Sequence, residues 1–244
     1  MTIAVLGYDF PHKKTVDVLL RLSMAGENAV VLAAGWQSLP GRSAVRTTVR
    51  KQSQHPRDIA SWLDFEYVAT PHDSSDCLRR LQAADVGVVA GARILSPEAV
   101  EAPAMGVLNL HPAELPSVRG LDSLLWSVLL DVPLGVSAHV VDQHVDCGRL
   151  VRFEPIDVLV GDTVFDLSER LYEKQLEMLM PALARLRAGV SGESLEGQGQ
   201  VRSRMPSDVA ESVGSETMAE YIAAHGKKVE EPEPKRPDRL VVSS

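Results

Sequence analysis

Three polar residues in the middle of the chain have the types and spacing to act on a carbonyl group. Asn109 and His111 lie two positions apart at the end of an apolar stretch, 105–110, that predicts a short β-strand. Because alternate residues of a strand face the same way, their side chains should project together, and Pro112 should end the strand. An amide and an imidazole N–H could both donate to an oxygen that gains negative charge. Asp146 could hold His111 in its charged form, or take a proton from an attacking group.

The elements that must position these residues alternate between strand and helix patterns. Apolar runs without polar alternation are typical of buried parallel strands, and apolar residues at helical spacing follow several of them. The pattern predicts an α/β fold: a doubly wound, Rossmann-like, mostly parallel sheet with helices on both faces. Strands are predicted at 2–7, 28–34, 65–69, 86–90, 105–110, 134–141, 150–158 and 200–205, the 134–141 and 150–158 strands forming an antiparallel pair. Helices are predicted at 15–25, 58–63, 74–84, 121–130 and 163–187, with a short one from Ser96.

Composition limits the class of partner. The net charge is −8, and no basic cluster is large enough to neutralise many phosphates, so neither nucleic acid nor an anionic membrane is expected as a partner. No apolar run approaches the roughly 18 residues of a membrane span. Met1 leads straight into an apolar strand without a basic leader, so a cytoplasmic location is expected. A homodimer is compatible with the sequence.

The chain is predicted to contain one catalytic domain and a tail. Residues 1–206 form the domain, and residues 207–244, rich in Ser, Glu, Pro and Lys, are predicted to be largely disordered apart from a turn or two of helix at 218–224. Residues 35–57 are polar and basic, which predicts a loop. The chain has two cysteines, Cys77 and Cys147, without metal-ligand spacing, so neither a disulfide framework nor a metal site is expected.

The stretch 106–148 resembles the core signature of the folate-dependent formyltransferases, which include the glycinamide ribonucleotide, methionyl-tRNA and nucleotide-sugar N-formyltransferases. Asn109 to Pro112 matches the family's Asn-x-His-Pro. The family's essential Asp, which precedes a small residue and a Gly, corresponds to Asp146. Upstream, residues 90–97 resemble the segment that lines the pterin pocket. Further matches are Leu115-Pro116, Arg119-Gly120 and the strand Gly135 to His139.

The resemblance implies transfer of the formyl group of N10-formyltetrahydrofolate to a small-molecule amine. Asn109 and His111 would stabilise the oxyanion, Asp146 would manage the proton and support His111, and no metal would be needed. Cys147 stands where the family often has Thr, and is interpreted as a small packing residue. The implied folate-binding residues are Ala92, Arg93, Ile94, Leu95, Val100, Val140, Val141 and Asp142.

The resemblance leaves the amine acceptor open. The loop after the first strand lacks a second glycine beyond Gly7 to bring backbone N–H groups onto a phosphate, which disfavours glycinamide ribonucleotide. The acidic, short C-terminal region disfavours methionyl-tRNA. Trp126 resembles a Trp that stands near this place in the nucleotide-sugar branch. A nucleotide-linked amino sugar is therefore the first hypothesis for the acceptor, and an amino-acid-derived amine such as hydroxyornithine is the second. The predicted acceptor-binding residues are Lys13, Arg119, Gly120 and Trp126.

Two hypotheses from other classes stay open. A nucleotide-binding oxidoreductase would share the opening β–α–β unit, but Gly7 stands alone where Gly-x-Gly-x-x-Gly is expected. A non-catalytic folate-binding module would be expected to lack one of Asn109, His111 and Asp146.

Overall fold

The computed structural model describes residues 1–36 and 54–228. Most of the loop predicted at 35–57 therefore lies outside the described residues. The strands are β1 (Ile3–Tyr8), β2 (Ala29–Ala34), β3 (Glu66–Ala69), β4 (Val86–Val89), β5 (Val107–His111), β6 (Arg119–Gly120), β7 (Gly135–Val140), β8 (Arg149–Pro155), β9 (Glu193–Ser194) and β10 (Val201–Arg202). The helices are α1 (Lys13–Met24), α2 (Pro56–Trp62), α3 (Ser75–Gln82), α4 (Pro97–Glu101), α5 (Ser123–Leu129), α6 (Val164–Arg187), α7 (Ser207–Ser212) and α8 (Met218–His225).

One eight-stranded sheet, in the order β3-β2-β1-β4-β5-β7-β8-β9, forms the centre of the molecule. Strands β1 to β5 pair in parallel, whereas β7, β8 and β9 are added antiparallel. The sequence prediction of a mostly parallel sheet and an antiparallel pair is confirmed. Because β1, β4 and β5 run in the same direction, their carboxyl ends meet at one edge, where α/β proteins place their sites.

The two faces of the sheet are covered by different helices. On one face, apolar residues of α1 and α6, such as Leu19 and Leu179, pack into the larger hydrophobic cluster. On the other face, Cys77 and Leu81 of α3 and Ala99 of α4 form a second cluster. The sheet is therefore doubly wound. Apolar side chains cover both of its faces, and the polar side chains of interest lie at the strand ends.

Two short strands were not predicted as a pair. β10 runs parallel to β6, with Val201 opposite Arg119, and the backbone of Leu121 donates to the carbonyl of Arg202. This pairing ties the segment after α6 to the loop that follows β5. β10 lies within the strand predicted at 200–205, whereas β6 was not predicted, because two residues show no periodicity.

Residues 207–217 correct the prediction of a largely disordered tail, whereas α8 lies where a turn or two of helix was predicted at 218–224. α7, a π-helical segment (Val213–Thr217) and α8 follow one another, and Ala210, Val213, Met218 and Tyr221 join the larger hydrophobic cluster. The Tyr221 hydroxyl donates to the Val132 carbonyl at 2.8 Å. The apolar spacing of five between Val213 and Met218 fits a π turn rather than an α-helix, which hid the pattern. The rest of the predicted tail, 229–244, lies outside the described residues.

Within the described parts of the chain, none of the helices combines the length and the apolar composition needed to cross a bilayer.

Candidate active site

The side chains of Asn109 and His111 both approach one carboxylate oxygen of Asp146. Asp146 Oδ1 lies 3.5 Å from Asn109 Nδ2 and 3.5 Å from His111 Nδ1. The first two residues come from β5, whose alternation points both side chains to the same side. The third comes from the loop between β7 and β8. The structure therefore brings together an amide, an imidazole and a carboxylate that are up to 37 positions apart in the chain.

The Asp146 carboxylate is held from two directions. Its Oδ2 accepts a hydrogen bond from the backbone N–H of Gly120 at 2.8 Å, which leaves Oδ1 for the amide and the imidazole. The residue has a φ of 43°, in the left-handed region that few non-glycine residues adopt. Such a conformation is retained where the surrounding structure determines it, and it occurs often at functional sites.

The partners of His111 determine its tautomer. Its Nε2 lies 3.0 Å from the Val118 carbonyl, which can only accept, so Nε2 carries a hydrogen. Nδ1 then faces Asp146, as a lone pair in the neutral ring and as an N–H donor in the charged ring. Burial lowers the pKa of His111, while the Asp146 carboxylate opposes that shift. Burial therefore favours the neutral ring, and Nδ1 could offer a hydrogen to a reacting oxygen only when the ring is protonated, with Asp146 as its counter-ion.

A fourth residue, His139, belongs to the same cluster and was missing from the predicted site. Its Nδ1 lies 2.8 Å from the Cys147 carbonyl and so carries the hydrogen, which leaves Nε2 to accept from Asn109 Nδ2 at 3.2 Å. Complete burial, together with the charge of His111, lowers the pKa of His139 to about 4. A neutral His139 therefore fixes the Asn109 amide. The sequence signal was the strand Gly135 to His139, which pairs Asn109 with His139 in antiparallel register.

A cavity of about 260 Å³ opens beside the cluster. Asn109 and Asp146 form one end of it, and seven of the eight predicted folate-binding residues lie along its walls. Val140 does not line it, because this side chain is buried in β7, close to Gly106. The predicted lining residues are Ala92, Arg93, Ile94, Leu95, Val100, Val141 and Asp142, and those not predicted are Val89, Gln143, His144 and Val145.

The walls of this cavity suit a flat, polar-edged ring. Val89, Val100 and Val141 are apolar, and the backbone at 91–95 and 142–146 lies outside the strands of the sheet. A bound pterin head could therefore be held between apolar side chains and hydrogen-bonded by the main chain. Asn109 and Asp146 would then lie at the end where a group on that molecule reacts.

A second, larger cavity of about 650 Å³ shares the segment Arg93–Ile94–Leu95 with the first. Aromatic rings line its far side: Tyr8 stacks on Phe10 with centroids 4.8 Å apart, and Phe10 meets Trp36 edge-on at 5.2 Å. Apart from the shared segment, the sequence prediction assigned no site residue to this cavity. The shared segment makes the two cavities neighbours along one edge of the sheet.

Each of the four residues predicted to bind the acceptor has a partner within the protein. Lys13 pairs with Asp17 at 2.6 Å, and the Trp126 indole N–H donates to the Ser203 carbonyl at 3.0 Å. Gly120 holds Asp146, as described above. The buried Arg119 guanidinium donates to the carbonyls of Val145 and Gln198 at 2.7–3.0 Å. The geometry favours a supporting role for Arg119 beneath the Asp146 loop, and the acceptor contacts of these residues stay predictions.

The fold and the site together define an α/β protein whose sheet edge presents an amide–imidazole–carboxylate cluster beside a cavity. The chain belongs to the formyl transferase family, whose model matches residues 29–183. No three His, Cys, Asp or Glu side chains in the described ranges are grouped so that they could hold a metal ion.

Known proteins similar to this chain differ in the acceptor that their names give. A methionyl-tRNA formyltransferase from Fusobacterium nucleatum is 30% identical over 113 residues, which are 46% of this chain and 36% of that protein. The match thus spans about a third of the relative's length. A glycinamide ribonucleotide transformylase from Symbiobacterium toebii has a similar structure, with a TM-score of 0.58, 23% identity and coverage of 78% of this chain and 88% of its own.

A third similar protein, also of known structure, binds folate. It is a formyltransferase from Anoxybacillus kamchatkensis in complex with UDP-4,6-dideoxy-4-formamido-L-AltNAc and tetrahydrofolate, with a TM-score of 0.51, 22% identity and coverage of 83% of this chain and 85% of its own. At these identities the two structures show that the fold is shared.

Proposed function

We propose that this protein transfers the formyl group of N10-formyltetrahydrofolate to an amine of a small-molecule acceptor. The first hypothesis for that acceptor is a nucleotide-linked amino sugar. The observation that carries the proposal is the convergence of Asn109 and His111 on Asp146 at the end of a cavity suited to a pterin. Membership of the formyl transferase family and the tetrahydrofolate in a similar structure support the choice of donor.

The cluster can perform each step of such a transfer. The amine nitrogen attacks the formyl carbon, and the Asn109 amide donates to the oxygen that becomes negative. His111 Nδ1 donates to the same oxygen when the ring is protonated, with Asp146 as its counter-ion. Asp146 accepts the proton that the attacking nitrogen loses. As the bond from carbon to N10 breaks, the folate nitrogen takes up the proton that Asp146 accepted, so the products are a formamide and tetrahydrofolate and the carboxylate is restored.

His139 and Arg119 prepare the site without touching the reacting atoms. The neutral His139 accepts one N–H of the Asn109 amide and thereby leaves the other directed towards Asp146. Arg119 holds the carbonyl of Val145, the residue before Asp146, through two of its nitrogens. Pre-orientation of this kind lowers the reorganisation needed at the moment of reaction.

The experiment is to incubate the protein with N10-formyltetrahydrofolate and a panel of amines, and to follow tetrahydrofolate release and formamide formation by mass spectrometry. The panel contains nucleotide-linked amino sugars, hydroxyornithine and glycinamide ribonucleotide. Formamide formation that is lost in His111→Ala supports the proposal. Binding of NAD with no binding of reduced folate contradicts it, and favours the oxidoreductase hypothesis.

Methionyl-tRNA is a second candidate acceptor, because a relative that matches in sequence carries that name. The net charge of −8 disfavours a tRNA, since electrostatic attraction to phosphates supplies much of the affinity for nucleic acid. Methionyl-tRNA therefore belongs in the same panel, and its formylation in preference to the small amines would replace the first hypothesis.

A further inference from the structure

A short surface segment, residues 193–202, contacts the chain on both sides of Asp146, and we call it the strap. It begins with β9, ends with β10, and lies beyond the residues 29–183 that the family model matches. Of residues 193–202, Leu195 alone is buried. A segment with so little buried apolar surface is ordered chiefly by the hydrogen bonds that its backbone forms.

Leu195 of the strap holds the two residues that follow Asp146. Its backbone N–H donates to the Gly148 carbonyl at 2.8 Å, and its carbonyl accepts from Cys147 Sγ at 3.4 Å. The side chains of Leu195, Cys147 and Leu115 also form a small hydrophobic cluster, separate from the two larger ones. Leu195 therefore fixes the backbone directly after Asp146 by two hydrogen bonds and by packing.

The strap reaches the other side of Asp146 through Arg119. One guanidinium nitrogen, Nη1, donates to the Gln198 carbonyl of the strap at 2.7 Å. Nε and Nη2 donate to the carbonyl of Val145, the residue before Asp146, at 3.0 and 2.8 Å. In addition, β10 pairs with β6, the strand whose Gly120 N–H donates to Asp146 Oδ2. The strap is thus connected to the residues before and after Asp146 and to the donor that fixes its carboxylate.

Two glycines of the strap have the same backbone conformation but different surroundings. Gly197 and Gly199 both have a φ of 70°. A Cβ on Gly199 would overlap the carbonyl oxygen of Pro116, whereas none of the described residues comes within 4 Å of a Cβ on Gly197. At Gly199 the strap therefore lies directly against the loop whose Val118 carbonyl accepts from His111.

We propose that the strap holds the Asp146 carboxylate in the position that proton transfer requires, with Leu195 as its main positioning residue. This inference rests on the proposed formyl transfer. Leu195 does not touch the reacting atoms and acts through Cys147 and Gly148. Because a displacement of about 1 Å at a reacting group can cost about 100-fold in rate, loosening the strap should slow the reaction without removing any catalytic side chain.

The first test needs no turnover and uses amide hydrogen exchange measured by NMR. Since the Gly120 N–H donates to Asp146 Oδ2, its exchange rate reports whether the carboxylate stays in place. Leu195→Ala should speed exchange at Gly120 about tenfold relative to the amides of β1 and β2. Leu22→Ala, which removes a fully buried leucine from the last turn of α1, is the control and should not change that ratio. An unchanged ratio in Leu195→Ala overturns the proposal.

The two strap glycines provide a matched pair for the same measurement. Gly199→Ala and Gly197→Ala carry the same backbone cost, but only the first pushes the strap away from the Pro116 carbonyl. Exchange at Gly120 should therefore be faster in Gly199→Ala than in Gly197→Ala. Equal exchange at Gly120 in the two variants would mean that the position of the strap does not determine that of Asp146, and overturns the proposal.

The second test uses whichever amine of the panel is turned over. Leu195→Ala should lower kcat about 10- to 100-fold while KM for both substrates stays within about threefold, because the substrates do not touch Leu195. Leu195→Met, which nearly conserves the volume, should recover most of the loss, and Leu22→Ala should keep the native kcat. An unchanged kcat in Leu195→Ala overturns the proposal. No turnover of any amine by the native chain contradicts formyl transfer itself, and the exchange measurements still decide whether the strap holds Asp146.

Discussion

Asp146 is the residue on which the proposed chemistry depends most, because its two oxygens connect the parts of the site. Oδ2 is fixed by the Gly120 N–H, and Oδ1 faces both Asn109 and His111. A carboxylate in this place can both balance a charged imidazole and accept a proton. An amide of the same shape can do neither.

Asp146→Asn is therefore expected to slow formyl transfer about 10²- to 10⁴-fold, in the range that loss of a general base produces. The fold should persist, because Asn tolerates a left-handed φ as well as Asp does. Single-turnover rates with saturating N10-formyltetrahydrofolate measure the effect. Tetrahydrofolate affinity and the circular dichroism spectrum are the controls, and a rate within a few-fold of the native one would exclude Asp146 from the proton transfer.

At the level of elements, the turn between β7 and β8 determines where Asp146 lies. Gly148 has a φ of 98°, and a Cβ there would overlap the carbonyl oxygen of Val140 at the end of β7. The loop can return this close to the strand only because residue 148 has no side chain. The close approach brings Asp146 back over the end of β5.

Gly148→Ala should destabilise the protein and displace Asp146, whereas Gly161→Ala offers a matched control. Gly161 has a similar φ of 91°, but nothing lies within 4 Å of a Cβ placed there. Both variants carry the backbone cost, of order 1 kcal/mol, and Gly148→Ala adds the overlap, for a total of about 3 kcal/mol or more. Urea unfolding compares the two. Equal losses of unfolding free energy would mean that the turn relaxes without cost.

The sequence predicted the long elements well because their signals are local. Uninterrupted apolar runs indicated β1, β2 and β4, and Thr163 caps α6 one residue from the predicted start. Pro112 follows the last residue of β5, as the missing N–H of proline requires.

Sequence periodicity does not predict which distant segments pair with one another. His139 belongs to the site because β5 and β7 pair with Asn109 opposite His139, and a shift of one residue would turn it to the other face. Lys14 meets Gln175 across 161 positions. Lys13 and Lys14 look equivalent as sequence, and only the direction of α1 separates the lysine that pairs with Asp17 from the lysine that donates to Gln175.

For the molecule as a whole, the segment 207–225 belongs to the core. Ala210, Val213, Met218 and Tyr221 are buried in the larger cluster, and α8 ends with His225 at 2.7 Å from Asp131. Their packing partners include the region of α5, which follows the Arg119–Gly120 strand. The segment therefore supports the side of the molecule from which Gly120 reaches Asp146.

Truncation after residue 206 is expected to lower the free energy of unfolding by several kcal/mol, since three large apolar side chains contribute about 1.5–3 kcal/mol each before the entropy of ordering is subtracted. Truncation after residue 228 leaves all these contacts in place and is the matched control. Thermal unfolding compares the two truncated proteins with the full chain. A melting temperature after truncation at 206 equal to that of the control would show that the helices rest on the core without stabilising it.

The buried histidines should make the whole molecule sensitive to mild acid. The pKa of His139 is lowered to about 4 by burial, against an ordinary value of about 6.5 in the unfolded chain. Below that ordinary value the unfolded chain takes up a proton that the folded protein refuses, so stability is full at neutral pH and falls as the pH drops towards 4. The lowered pKa values of His12, His72 and His111 act in the same direction.

His139→Asn isolates the contribution of one fully buried histidine. Asn keeps an N–H donor for the Cys147 carbonyl but does not titrate, so the variant should lose less stability than the native protein on acidification. Between about pH 7.5 and about pH 5, the native protein should lose about 2 kcal/mol more unfolding free energy than the variant loses. Urea unfolding at a series of pH values measures it, and the comparison depends on the slope and not on the absolute stability of the variant. Parallel curves for the two proteins would mean that His139 can be protonated in place, and that a neutral ring is not what orients Asn109.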